Sequence, residues 1–125
     1  MNNLTLVPFL GYSGNFIRNN LLATIDQWGP QYRLSLDFKI HSNISSGWSS
    51  LVAFKGNGGE QNNQNYGDRN PAIFYYQNTG KLSIRNSVSG NKNFALDYEI
   101  DVGSWYSIEM VQKETDGKVR QSLKI

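Results

Sequence analysis

Tyr32-Arg33-Leu34-Ser35-Leu36-Asp37-Phe38-Lys39-Ile40-His41 alternates without a break. Tyr32, Leu34, Leu36, Phe38 and Ile40 share one parity, and Arg33, Ser35, Asp37, Lys39 and His41 share the other. Such a period of two dictates a strand with one apolar face and one wet face, because successive side chains of a strand point to opposite sides. A helix needs apolar positions three and four apart, and this stretch lacks them.

The same reading extends in both directions. Upstream, Leu4 to Leu10 is a short apolar run interrupted by Pro8, which suits an edge strand or a bulge, and Leu21 to Ile25 is another short candidate. Downstream, Trp48 to Lys55 contains the apolar run Leu51 to Phe54 and reads as an inner strand. Ala72 to Gln77 is dense in aromatics, and Gln77-Asn78-Thr79-Gly80 reads as the hairpin turn into Lys81 to Ser87. Asn93 to Ile100 follows, then a turn at Asp101-Val102-Gly103. Ser104 to Lys113 sets Tyr106, Ile108 and Met110 against Trp105, Ser107 and Glu109. Asp116-Gly117 is a turn signal before a last strand carrying Val119, Leu123 and Ile125. Many short strands with turn signals about every ten residues indicate an all-β sandwich or barrel.

Composition limits the chemistry. The chain has 125 residues, room for a single domain, and a formal net charge of +2 with no Lys/Arg-rich run, which argues against nucleic acid as a partner. No apolar run reaches the roughly 18 residues that cross a bilayer as a helix, so no membrane insertion is expected. With no Cys, thiol nucleophiles, zinc knuckles and disulfides are out, and a lone His41 cannot build a His-rich metal site. The opening Met1-Asn2-Asn3 has no signal-peptide pattern, and a chain without Cys suits the cytosol. One segment breaks the strand rhythm: residues 56–70 are a polar loop with one aromatic and no aliphatic side chain. Loops of that length are usually functional or disordered.

Against this background Trp28-Gly29-Pro30-Gln31-Tyr32-Arg33-Leu34-Ser35-Leu36-Asp37, followed by Gly47-Trp48-Ser49-Ser50, resembles the early strands of laminin-G-like domains. Those domains belong to the concanavalin A-like lectin/glucanase jelly rolls. Gly67-Asp68-Arg69-Asn70-Pro71-Ala72 stands before the aromatic strand. Val102-Gly103-Ser104-Trp105-Tyr106-Ser107-Ile108-Glu109 is similar to the family's Gly-x-Trp-x-x-Ile strand, and Asp116-Gly117-Lys118 introduces a strand where the family has one. The likeness covers roughly residues 21–125. It implies an antiparallel β-sandwich of jelly-roll type, one domain over 1–125, that recognises a glycan or an extracellular partner through loops at one end. It also implies an extracellular setting, in place of the cytosol. Family members usually run longer, whereas this chain stops within the alternating run ending Leu123-Lys124-Ile125. The expectation is a missing or separately supplied final segment. The terminal strand then pairs either with Leu4 to Leu10 or with a strand of another molecule.

Three chemistries compete for the polar residues. Glycoside hydrolases place an acid and a second carboxylate on either side of one bond. Asp97, Glu99 and Asp101 share one strand face, but Tyr98 and Ile100 on the other face look like the core side, so the acids read as a solvated surface. The family's Glu-x-Asp-x-(x)-Glu signature is absent, and the chain is read as a non-enzyme. Calcium takes six to eight hard oxygens. The loop offers Glu60 and Asp68 as its charged ligands, beside several Asn, and needs no metal if these residues only make turns. Sugar sites stack an aromatic ring on a pyranose and add a few oriented hydrogen-bonding groups. Tyr66, Asp68, Arg69 and Asn70 have that chemistry, and the resemblance implies that Asn91 and Asn93, from a second loop at 90–93, lie near them. Trp28, Trp48 and Trp105 read as core or sheet-packing residues, and not as stacking platforms. The alternative to recognition is a structural domain that self-associates through an exposed sheet edge.

Overall fold

A computed structural model describes residues 29, 31–42, 46–55, 66, 68–88 and 90–125. Among these residues the chain is all-β, with seven strands, no helix and two antiparallel sheets. The strands are β1 (Tyr32–Lys39), β2 (Trp48–Ala53), β3 (Ala72–Tyr76), β4 (Lys81–Val88), β5 (Asn91–Glu99), β6 (Trp105–Thr115) and β7 (Lys118–Lys124). One compact unit holds the sheet β1-β6-β7, and a second unit holds β2-β3-β4-β5. The expected strands at Leu4 to Leu10 and Leu21 to Ile25, Trp28 and most of the 56–70 loop lie outside the described residues.

The three-stranded sheet follows directly from alternation. Tyr32 and Phe38 of β1 and Ile108 and Met110 of β6 are buried, while Leu34, Leu36 and Ile40 are half-buried. The Tyr32 hydroxyl contacts the Met110 sulfur, the Ser107 hydroxyl donates to Asp37, and the Gly103 N–H donates to the Ile40 carbonyl. Residue numbers rise along β1 as they fall along β6, so the two run antiparallel. β1 and β6 are neighbours in one sheet, so these apolar residues lie side by side and not across two sheets. The Phe38 and Tyr106 rings, on adjacent strands, stack at 5.8 Å. The β6–β7 hairpin turns on Asp116 (φ 53°) and Gly117 (φ 69°), and Thr115 pairs with Lys118 across it. Two successive positive φ values define the type I′ turn whose twist matches that of the strands, and Asp-Gly is a preferred sequence for it.

The four-stranded sheet is a meander, each strand pairing with the next. Its register sorts the residues onto two faces. Ile73, Tyr75, Leu82, Ile84 and Asn86 are buried on one. The opposite face carries three rows: Trp48, Tyr76, Lys81 and Glu99; then Ser50, Phe74, Ser83 and Asp97; then Ala53, Ala72, Arg85 and Ala95. A β-bulge between Ser50 and Val52 changes the phase of β2, so Trp48 and Val52 lie on opposite faces despite equal parity. The sequence places 90–93 in a loop. In the structure Asn91, Lys92 and Asn93 already belong to β5, and Val88 pairs with Asn91. Gly90 at φ 79° supports so short a connection, because that backbone region is open to glycine.

Candidate functional site

The second face of the four-stranded sheet gathers most of the chemistry in the described chain. Its centre is Trp48, which reads from the sequence as core or sheet-packing and is 54% exposed. The indole stacks on Tyr76 at 4.4 Å and meets Phe74 edge-on at 6.1 Å. Two rings thus hold the indole in place while part of its surface faces solvent. Over it lies the Arg85 guanidinium, 5.3 Å from the ring, and a second guanidinium, that of Arg69, lies 5.0 Å from the Phe74 ring. Cations are drawn to the electron-rich face of an aromatic ring, so both contacts orient the arginines.

A polar chain runs beside the rings. Arg85 Nε donates to Ser83 Oγ at 2.7 Å, and Ser83 Oγ donates to Asp97 Oδ1 at 2.5 Å. Arg85 Nη2 lies 3.9 Å from the same carboxylate oxygen. Ser83 and Arg85 share a face because they stand two apart on β4, and Asp97 is the direct cross-strand partner of Ser83. Ser83 is fully buried, Asp97 is exposed and Arg85 is half-buried, so the chain leads from the sheet surface to solvent. Burial lowers the Arg69 pKa below its ordinary value, the nearby charge of Arg85 lowers it further, and Asp68 partly offsets both. The guanidinium stays a cation at physiological pH, because its intrinsic affinity for the proton is very high.

The residues singled out from the sequence fall into two sets. Arg69 and Asn93 come together, Arg69 Nη1 donating to Asn93 Oδ1 at 2.5 Å. The segment is held there by backbone bonds from Ser87 N–H to the Arg69 carbonyl and from Asn70 N–H to the Phe54 carbonyl. Tyr66 is exposed, with the Lys92 ammonium 5.8 Å from its ring. By contrast Asp68 is buried, and the Asn91 side chain accepts from the backbone N–H of Asn93, stabilising the start of β5. Glu60 lies outside the described residues. No group of three or more His, Cys, Asp or Glu that could hold a metal occurs among the described residues.

Trp48, Phe74, Tyr76, Ser83, Arg85 and Asp97 were not singled out as one site. The signal for four of them was cross-strand register: Phe74 and Ser83 are direct partners, as are Trp48 and Tyr76. Trp105 also corrects the core expectation, being 68% exposed at the start of β6.

The arrangement is an aromatic platform bordered by oriented donors and acceptors on a regular sheet. Chemically it can cover an apolar ring face and hydrogen-bond to hydroxyl groups around it. No protein-family model matches this chain, and searches of curated proteins and of solved structures find no significant match either.

Proposed function

We propose that this chain is a non-enzymatic recognition module, an antiparallel β-sandwich of jelly-roll type, that binds a glycan on the face centred on Trp48. The observation that carries the reading is Trp48 itself: a tryptophan half open to solvent, stacked on Tyr76, under a guanidinium tied to Ser83 and Asp97. Stacking on a pyranose uses the open part of such a ring, and the neighbouring groups select hydroxyl orientation. Recognition shifts from the loop tips to the sheet face. Arg69, which lies over Phe74, and its partner Asn93 extend that face. The resemblance to laminin-G-like domains supports the same reading and an extracellular setting.

The site is read as binding and not cleaving because its central carboxylate is already engaged. Asp97 Oδ1 accepts from Ser83 and lies 3.9 Å from Arg85 Nη2, which places this carboxylate in orienting the arginine beside the indole.

The test is a panel of neutral and acidic oligosaccharides, followed by calorimetric titration with the strongest binder. Trp48→Ala is expected to abolish binding, and Trp105→Ala to leave it unchanged. The bound sugar is expected to raise the melting temperature of the wild type, since a ligand taken only by the folded state stabilises it. Absence of any binder, or binding indifferent to Trp48→Ala, would overturn the reading.

A further inference from the structure

Two of the edge strands, β5 and β7, have complementary surfaces. Among the described residues β5 stands at one end of the four-stranded sheet and β7 at one end of the three-stranded one. On β5, Asp97 and Glu99 lie on the face shared with Ser83 and Lys81, and exposed Asp101 follows just beyond the strand. The other face of β5 presents Phe94, Leu96 and Tyr98 beside the buried Leu82 and Ile84. On β7, Lys118, Arg120 and Lys124 share one face and are exposed. Its other face carries Val119 and Leu123, Leu123 pairing with the buried Met110.

Both strands therefore continue the apolar side of their sheet to its rim and leave it uncovered. Val119 is 54% exposed, Phe94 41% and Leu96 39%. In each case the charges lie on the opposite face, acidic along the C-terminal half of β5 and basic along β7. Charges at a sheet edge normally block edge-to-edge pairing. Here they block only like with like: β7 against β7 brings basic side chains together, and β5 against β5 brings acidic ones together. A β5–β7 junction aligns acids with bases on one face and apolar residues with apolar residues on the other. Cross-strand pairs of opposite charge and of apolar groups both stabilise a sheet.

From this complementarity we infer that copies of this chain join edge to edge, β7 of one copy against β5 of the next. The occupant of each edge is a second copy of this chain. The contact uses different surfaces on its two sides, so it joins copies head to tail into a ring or a filament, and growth does not stop at two. The junction lies at β5, across β3 and β4 from Trp48 on β2.

The experiment is sedimentation velocity on the full chain over a concentration series at low and high salt. The screening length falls from about 30 Å at 0.01 M to about 3 Å at 1 M, so a charge-selected junction weakens across that range. At low salt the expected mass rises with concentration and passes twice the 14.1 kDa of one chain. Glu99→Lys and Arg120→Glu, each folded by circular dichroism, are expected to lower the association constant about tenfold or more when alone, since like charges facing across an interface are costly. An equal mixture of the two is expected to recover association. The edge altered by Glu99→Lys then meets the edge altered by Arg120→Glu, with the charges exchanged, and the two unchanged edges meet each other. A single species of one-chain mass at every concentration overturns the inference, as does a mass that stops at a two-fold dimer. A mixture that fails to recover association overturns it as well.

Discussion

Each sheet holds a serine hydroxyl against an aspartate on the neighbouring strand, and the two pairs differ in everything except that bond. Ser107 donates to Asp37 at 2.5 Å across β6 and β1, with both residues exposed. Ser83 donates to Asp97 at the same distance across β4 and β5, but Ser83 is 1% exposed and also accepts from Arg85. The first pair decorates the wet side of an amphipathic sheet. The second is the inner end of a polar chain that runs through aromatic rings to solvent. An identical bond thus has different consequences according to what surrounds it, because water competes for exposed polar groups and not for buried ones.

The largest expected effect tests the burial behind this contrast. Phe38 is buried and stacks on Tyr106, so Phe38→Ala should cost about 3–5 kcal/mol in denaturant unfolding. A loss under about 1 kcal/mol, the range of exposed positions, would mean that the three-stranded sheet does not bury that face.

Ser83→Ala comes next, at about 1–3 kcal/mol, since it strips a partner from both Arg85 and Asp97. The same change also frees Arg85 to move off the indole, so the sugar affinity expected above should fall with it. Gly117→Ala should cost about 1–2 kcal/mol, because an L side chain is strained at φ 69°. Smallest is Ser107→Ala, within about 0.5 kcal/mol, as befits an exposed bond. Equal losses from Ser83→Ala and Ser107→Ala, measured in the same unfolding series, would erase the distinction between the two sheets.

Legibility in the sequence tracked how local each feature is. The alternation of β1 placed Tyr32 and Phe38 on the buried side, and that of β6 did the same for Ile108 and Met110. Arg69 and Asn93 have suitable chemistry, but only the family resemblance puts them in one site at the level of sequence; in the structure the two side chains meet. Trp48 packs against Tyr76 and Phe74 as a sheet-packing residue would, yet it is 54% exposed and not in a core. Its face is not legible from β2 alone, where unbroken alternation would set Trp48 and Val52 on one side. The bulge between Ser50 and Val52 separates them, and one inserted residue reverses every side chain beyond it. Asp97 reads from the sequence as one of three acids on a solvated strand face, and its pairing with Ser83 is not visible there. That pairing belongs to the register of Lys81 to Asn86 with Phe94 to Glu99, which shifts before Val88 meets Asn91 and which neither strand shows alone.

The chain's own order of residues determined that it is built of strands, which parity of β1 and β6 turns inward, and that Asp116-Gly117 reverses direction. Those properties follow from the backbone geometry of a few consecutive residues. Which strands became neighbours, where β2 changed phase, and hence that Trp48, Arg85, Ser83 and Asp97 share one surface were decided by the tertiary structure. Register and bulges are set by hydrogen bonds between strands distant in the chain, and the pattern of any single strand is compatible with more than one such pairing.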